Sequence, residues 1–326
     1  MAERASIFEV AQLGVETTPG TSVAANRKLG ATSIEPSINA GTTPLVVRGA
    51  KLPASVVLGK EWTTASIRGQ ASYTDIVYLL SSALSRVTPV QQGTSAAYKW
   101  TFGINQSGAD TVATYTVETG SNVRAGKFAY GIIPELGISF TRDAVEVSGT
   151  MAGREYQDGI TLTASPTQVE VVPVLPAHVS VYMDTTPGTI GTTKLARVLR
   201  AEFKVADRFS QLWTLDASQN SWTTHIETQP AVTLNMLVEA DSAGMALLTA
   251  LRNGEKRFVR IAAVGPVADG TYNHTLQIDL AGMVSDVGQF SDEDGLFAVE
   301  WTLQAVYDSA WGKAIEVTVI NKLSSL

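Results

Sequence analysis

Four stretches of the chain alternate between apolar and polar side chains with a period of two. They are residues 60–70, 144–155, 231–239 and 296–308. A period of two predicts strands that place one face on a core and the other face in a polar environment. In the last stretch, Phe297 and Tyr307 fall on the apolar side of the alternation. We therefore predict that both of these side chains pack inward.

Two segments instead show the spacing of apolar residues that is typical of a helix. Residues 72–84 carry such a stripe, with Ser72 as the predicted N-cap. Residues 241–253 carry a second one, and either Asp241 or Ser242 is its predicted N-cap. Both helices follow directly on an alternating stretch, so each half of the chain has the same order of strand and short helix.

The remaining strands are predicted from shorter alternating runs, and no long helix separates them. That pattern argues against a doubly wound parallel sheet. We predict a mainly β protein built of antiparallel β-sandwich or barrel domains, each with one short flanking α-helix. The further predicted strands are residues 113–119, 127–141, 195–207, 257–264, 272–285 and 314–321.

Three segments interrupt this regular pattern. Residues 30–56 are rich in glycine and proline and are predicted to form a long loop or an irregular hairpin. Residues 88–113 have no counterpart in the second half and are predicted to be an inserted hairpin arm that turns at residues 106–108. Residues 157–192 contain four prolines, which indicate a linker with edge strands.

A five-residue phrase, TTPGT, occurs at residues 17–21 and again at residues 185–189. A Lys-Leu pair follows each copy, and the alternating stretch and helix follow at nearly the same spacing. A self-match at a fixed offset predicts an internal duplication. We therefore divide the chain into two similar domains, residues 1–165 and 166–326. Within each copy of the phrase, Pro-Gly suits the centre of a type II turn.

Composition and charge narrow the range of functions. The 326 residues are 44% hydrophobic and 17% charged, as in a well-cored globular protein, and cysteine is absent. The net charge is −7, with 13 basic and 13 acidic side chains in residues 1–165 but 11 and 18 in residues 166–326. A protein that grips nucleic-acid phosphates needs a basic face, so this balance argues against one.

No targeting or membrane-spanning segment is evident in the sequence. Met1–Arg4 lead into no apolar signal core, and no apolar run approaches about 18 residues. We expect a protein that is made in the cytoplasm and does not enter a membrane.

The sequence offers no constellation of catalytic or metal-binding residues. His178, His225 and His274 lie far apart and are predicted to be ordinary surface or edge-strand histidines. The acidic cluster at residues 291–295 lacks the ligand spacing of a calcium loop and is predicted to be a solvated hairpin tip. We expect no catalytic, cofactor-binding or metal-binding residue, no cofactor and no enzymatic activity.

Two segments carry a resemblance to a known family. Val15–Ser37, which reads VETTPGTSVAANRKLGATSIEPS, and Lys60–Leu84, which reads KEWTTASIRGQASYTDIVYLLSSAL, resemble major tail (tail tube) proteins of long non-contractile-tailed bacteriophages, especially phages of actinobacteria. The resemblance covers the first ninety residues best, and the rest agrees in element order.

The resemblance implies a structural virion protein whose β domains assemble into stacked rings around a channel for genome delivery. It implies six domains per ring, with arms that bridge successive rings. A duplicated chain would supply two domains and form a trimer with pseudo-six-fold symmetry, and a hexamer is the alternative. The implied partners are the protein itself, a tape measure protein, tail terminator and distal tail proteins, and viral DNA that passes without specific binding.

The polar sides of the four alternating stretches are the candidates for the channel wall. Ring closure would remove exposed sheet edges, and a neutral or negative wall would not retain DNA. The candidate channel-lining residues are Thr64, Ser66, Gln70, Glu146, Ser148, Thr150, Thr233, Asn235, Glu239, Glu300, Thr302 and Gln304. A register error of one residue would place them in the core instead.

Two other functions fit the sequence less well. A β-sandwich decoration or receptor-binding module of a virion or cell surface would have the same strand pattern but would remain a monomer or small oligomer. A hydrolytic or carbohydrate-active β enzyme would need a pair of carboxylates in a cleft, and the sequence favours no such pair.

Overall fold

The computed structural model describes residues 6–326. Met1–Arg4, which were expected to lead into no signal core, lie outside this range. The described chain is mainly β, as predicted, with two short α-helices. The strands up to residue 160 are β1 (Val10–Val15), β2 (Arg27–Lys28), β3 (Thr32–Leu45), β4 (Ser55–Gln70), β5 (Val90–Gln91), β6 (Tyr98–Phe102), β7 (Tyr115–Gly120), β8 (Ala125–Phe140), β9 (Val145–Gly153) and β10 (Tyr156–Ile160).

The second half contains ten strands of varied length. They are β11 (Thr167–Gln168), β12 (Val179–Asp184), β13 (Val198–Ala206), β14 (Phe209–Leu212), β15 (Thr224–Glu227), β16 (Ala231–Glu239), β17 (Arg257–Asp269), β18 (Tyr272–Glu293), β19 (Leu296–Ala305) and β20 (Ile315–Asn321). Helix α1 spans Asp75–Ala83 and helix α2 spans Ala246–Asn253. Short 3₁₀ turns lie at Ser6–Phe8, Pro176–His178 and Pro187–Thr189.

The strands of the two halves pair in the same order. In the first half the order is β1–β7–β8–β9–β4–β3. In the second half it is β12–β17–β18–β19–β16–β13. All of these pairings are antiparallel, and a helix follows the corresponding strands β4 and β16. In the described chain the only parallel pairing is that of the short strands β2 and β11.

One pairing joins the two halves into a continuous sheet. Residues 136–140 of β8 pair with residues 201–205 of β13. The order β3–β4–β9–β8–β13–β16–β19–β18 is therefore unbroken from one half to the other. Strand β8 is long enough to make both sets of contacts. Its residues 125–131 pair with β7 and β10, while residues 132–140 pair with β9 and residues 136–140 also pair with β13.

One face of this sheet is apolar and covers the core, as the alternation predicts. In β16 the side chains of Val232, Leu234, Met236 and Val238 are buried. The corresponding buried residues of the neighbouring strands are Ala65, Ile67, Val147, Met151, Leu136, Ile138, Ala201, Phe203, Val205, Val299, Trp301 and Leu303. Burying such side chains removes apolar surface from water, at about 25 cal/mol per Å².

Helix α1 is buried on every side, and its start differs from the prediction. Thr74, not Ser72, occupies the N-cap position. Ser72 instead forms a bridge with Pro173. The Asp75 carboxylate accepts hydrogen bonds from the backbone N–H groups of Gly30 (3.2 Å) and Ala31 (2.7 Å), so it fixes the start of β3 against the helix.

Helix α2 also begins later than predicted, at Ala246, after a turn that Asp241 stabilises. The Asp241 carboxylate accepts hydrogen bonds from the N–H groups of Ala243 (3.0 Å) and Gly244 (2.8 Å). The helix ends as predicted, because Gly254 adopts the left-handed conformation (φ 63°) that closes a helix.

The two TTPGT copies follow the corresponding strands β1 and β12 but differ in conformation. In the first copy Gly20 has φ 81°, and Thr21 N–H donates to the Thr18 carbonyl (3.0 Å), as expected of a type II turn. In the second copy Pro187–Thr189 form a 3₁₀ turn, and Gly188 does not have a positive φ. The type II prediction is therefore wrong for the second copy.

Residues 30–56 form a long hairpin, the second of the two predicted alternatives. Strands β3 and β4 pair along fourteen residues of β3, with one bulge at Gly41. Every residue from Thr42 to Gly59 is exposed. At the base of this arm, Lys60 Nζ lies 4.7 Å from the centre of the Trp213 ring, and Glu61 N–H donates to the Asn220 carbonyl (3.1 Å).

Residues 88–113 do not form the predicted hairpin arm. Strand β6 pairs with β20 at the end of the chain and with the short strand β5. Its Trp100 and Phe102 side chains are buried, and the Trp100 indole N–H donates to Asn321 Oδ1 (3.2 Å). Large aromatic side chains gain more by entering the core than by remaining on an exposed arm, so the segment joins the sheet.

The region 157–192 contains short strands and turns, as its prolines indicate. The predicted edge pairing of Val179 and Tyr182 is found, since β12 pairs with β17. Val169 and Val171 lie outside the strands.

Candidate functional site

The polar face of the shared sheet is formed by rows of residues that lie directly opposite one another on neighbouring strands. Two of these rows cross six strands without a break. In order through β4, β9, β8, β13, β16 and β19, the first row is Arg68, Ser148, Gly137, Lys204, Thr233 and Gln304, and the second is Gln70, Glu146, Ser139, Glu202, Asn235 and Thr302. Residues opposite each other in antiparallel strands point to the same face.

The structure brings the twelve candidate residues together on this one face. Seven of them belong to the two rows, and Ser66 and Thr150 form a further row with Glu135. Thr64, Glu239 and Glu300 lie an even number of positions from the row residues of their own strands, so they point to the same face. All twelve residues are exposed or half-buried, whereas their immediate neighbours in the strands are mostly buried.

Charges on the face are mixed, with a slight acidic excess. Lys204 Nζ lies 2.5 Å from Glu135 Oε1, and Arg200 Nη2 lies 3.0 Å from Glu300 Oε1. The hydrogen bond that Lys204 donates to the Glu135 carboxylate raises the pKa of Lys204, so this lysine stays charged. The strand residues of this face include three basic side chains, Arg68, Arg200 and Lys204, and five acidic ones, Glu135, Glu146, Glu202, Glu239 and Glu300.

Sequence reasoning missed the middle of this surface. Glu135 and Ser139 of β8, and Glu202 and Lys204 of β13, link the candidates of the first half to those of the second. A signal for β13 is present, since residues 200–205 alternate between charged and apolar residues. No local signal shows that β8 and β13 are neighbours, because about sixty residues separate the paired positions.

Phe297 and Tyr307 are not buried as predicted. They are 59% and 43% exposed, respectively. Strand β19 ends at Ala305, before Tyr307. Phe297 lies in the part of the β18–β19 hairpin that extends beyond the core, where its ring stacks on that of Phe290 at 4.7 Å.

The three histidines lie in different surroundings, and one contradicts the prediction. His274 is buried in β18, which has neighbours on both sides, and burial lowers its pKa. His225 is half-buried in β15, where burial also lowers the pKa, and it contacts the Tyr130 hydroxyl (3.2 Å). His178 lies 3.1 Å from the Tyr73 hydroxyl.

Within residues 6–326 no group of three or more histidine, aspartate or glutamate side chains is arranged to hold a metal ion. The acidic cluster at residues 291–295 forms the tip of the β18–β19 hairpin, as predicted. Gly295 N–H donates to Asp292 Oδ1 (2.7 Å), which closes this turn.

Comparison of the sequence with models of known protein families gives no match, and comparison with curated proteins gives none either. None of the helices in the described range has the length and apolar character needed to cross a membrane.

Proposed function

We propose that this chain is a structural virion protein that assembles into stacked rings and forms the tail tube of a long non-contractile-tailed phage. The observation that carries the proposal is the polar sheet face that continues across both halves of the chain. A sheet with an apolar inner face and a long polar outer face suits the wall of a wet channel.

The chemistry of this face suits a channel that DNA must cross without binding. Threonine, serine, glutamine and asparagine side chains separate the charges, and the acidic residues outnumber the basic ones. Phosphate groups would meet a weakly repulsive wall, so the passing genome would not be retained.

The matching order of strand pairing supports a duplicated domain. Each half contributes four strands to the shared sheet, namely β3, β4, β9 and β8 from the first and β13, β16, β19 and β18 from the second. If one ring contains six such units, three chains complete it with pseudo-six-fold symmetry. A hexamer of the whole chain is the alternative.

The exposed β3–β4 arm fits a role in contacts between rings. Its apolar side chains include Leu52, Val46 and Val56, which are 77%, 60% and 64% exposed. Apolar surface of this kind usually marks an interaction site. The exposure of this arm also favours the second candidate function, a decoration or receptor-binding module. In such a module the arm would bind the surface of another molecule.

Electron microscopy of the purified protein in negative stain tests the proposal. We expect rings or tubes on the order of 100 Å wide, the scale of a ring of six ordinary domains. Native mass spectrometry of a single ring separates the stoichiometries, because three chains of 34.6 kDa give about 104 kDa and six give about twice that. Dispersed monomers at all protein and salt concentrations would contradict the tube and favour the decoration module.

A further inference from the structure

The joint between the two halves of one chain is the pairing of β8 with β13. Residues 136–140 of β8 add to the outer edge of β13, which on its other side pairs with β16. Phe140 lies opposite Ala201 at this joint and is only 5% exposed. The joint therefore both extends the sheet and covers a large aromatic side chain.

The strands that correspond to β8 and β13 are β18 and β3, and their outer edges are open. In the described chain β3 pairs only with β4. Beyond Gly282, the pairings within residues 6–326 join β18 only to β19. Unpaired edges of this length are ready to accept a further strand.

Phe290 is the counterpart of Phe140. The segments 144–146 and 298–300 both read Ala-Val-Glu. The first spans the start of β9, which begins at Val145, and the second occupies the corresponding position in β19. Phe140 lies opposite Val145, and Phe290 lies opposite Val299. Yet Phe290 is 52% exposed where Phe140 is 5% exposed, because no strand covers the edge beside Phe290.

A cleft beside β3 corresponds to the site that receives Phe140. At the joint inside the chain, a cleft of about 220 Å³ has the end of β8 as one wall and β12 and residues 194–201 as the other. Within the described residues, the corresponding cleft measures about 900 Å³ and is lined by β1, residues 28–35 and residues 168–171, with no wall from β18. The Lys-Leu pair of the repeat, at Lys28 and Lys194, lines both clefts.

We propose that β18 of a second copy of this chain pairs with the outer edge of β3, and that its Phe290 enters the cleft formed by β1 and residues 28–35. The occupant is a second copy because the chain already builds the same joint within itself. This inference rests on the proposed ring and names the contact that would close it. The contact joins two different surfaces, so repetition gives a closed ring or an open filament.

Phe290→Asp tests the joint directly. Phe290 is exposed in the single chain, so the variant should fold normally while a charge is placed in the contact. We expect association to weaken about thirty-fold or more, the scale of a dominant interface residue. Val123→Asp, at the exposed β7–β8 turn, is the matched control and should assemble normally. Sedimentation velocity measures association, and circular dichroism reports folding.

Disulfide trapping tests the register. In the proposed pairing, Ser33 of β3 corresponds to Glu202 of β13, and the bulge at residues 288–289 of β18 corresponds to Ser139 of β8. Ser33 would therefore lie opposite this bulge in the second copy. Because the chain contains no cysteine, the double variant Ser33→Cys with Gln289→Cys should form only the new intermolecular bond. Oxidation should give dimers and trimers on a denaturing gel. The control Ser33→Cys with Ser107→Cys should not form the same series.

The outcomes separate this inference from the proposed function. Loss of assembly in Phe290→Asp together with the cross-linked series supports the joint. Rings that persist in Phe290→Asp and show no cross-linking overturn the joint and leave the tube proposal standing. A wild-type protein that forms no rings under any condition overturns both.

Discussion

Arg208 and Asp110 form a buried ion pair that connects the second half of the chain to the first. Their side chains are 2% and 9% exposed. The Arg208 guanidinium also donates to the carbonyl of Leu84, just after α1 (3.1 Å), and lies 3.7 Å from Glu227. One cation thus holds the end of a helix, a loop of the first half and a strand of the second.

Replacing Arg208 by methionine should destabilise the protein strongly. The variant leaves the Asp110 carboxylate buried without its partner, and removal of one member of a buried pair costs about 3–5 kcal/mol. We expect a loss of about 3 kcal/mol in the free energy of unfolding, measured by urea denaturation.

The matched control is Arg124→Met, since Arg124 and Asp158 form an exposed pair with 58% and 47% of their side chains accessible. An exposed pair contributes little to stability, because water and salt screen it. Equal losses in the two variants would contradict the structural role of Arg208.

Stability should fall as the pH drops below neutrality, and His274 should contribute to that fall. Burial lowers the pKa of His274, Lys322 lowers it further and Glu170 opposes both. The native state therefore holds the imidazole neutral, while the unfolded chain binds a proton below about pH 6.5. Because the folded pKa is the lower one, the stabilisation is present above that pH and is lost as the pH falls towards the folded pKa.

Urea denaturation at about pH 7.5, 6.5 and 5.5 measures this effect. His274→Gln should lose less stability over the range than the wild type, whatever its stability at pH 7.5. Parallel curves for the two proteins would show that His274 does not titrate in this way.

Shortening the β3–β4 arm should leave the fold intact and abolish stacking of rings. Replacing residues 42–59 by Asn-Gly preserves the hairpin with a two-residue turn. Since Thr42–Gly59 are all exposed, the melting temperature should change little. Electron microscopy should show single rings in place of tubes.

A double substitution, Leu52→Ser with Val56→Ser, keeps the arm but removes apolar surface and should weaken stacking less than the deletion. Tubes of normal length from the shortened chain would assign the arm another role.

Reversing charges on the polar sheet face should make an assembled tube bind DNA. Glu146→Lys with Glu202→Lys changes the face by four charges without touching the core side of either strand. We expect a short DNA duplex to bind the variant tubes at low salt and not the wild type, as measured by fluorescence anisotropy.

Asp216→Lys with Glu255→Lys makes the same change in charge at two exposed loop positions outside the sheet and serves as the control. Equal binding by both variants would mean that the sheet face does not line the channel.

Local pattern was sufficient to predict the strand faces. The alternation in 231–239 correctly separated buried Val232 and Leu234 from the polar side chains of Thr233 and Asn235. It succeeded because successive side chains of a strand point to opposite faces, whatever the strand pairs with. The helix starts were predicted less well, since Ser72 is held by Pro173, a residue a hundred positions away.

The local sequence pattern did not predict which distant strands pair with each other. Trp100 and Phe102 belong to an alternating segment that fits an arm and a core strand equally well. Their burial depends on β20, more than two hundred residues further along the chain. No period within residues 88–113 contains that information.

The sequence by itself determined which faces of the central strands meet the core, that the protein is mainly β, and that similar landmarks recur in its two halves. Only the tertiary structure decided that β8 and β13 are neighbours and that their polar faces form one surface. It also decided that Phe140 is covered while Phe290 is exposed. The physical reason is that side-chain alternation is a property of one strand, whereas burial at an edge depends on which distant strand pairs there.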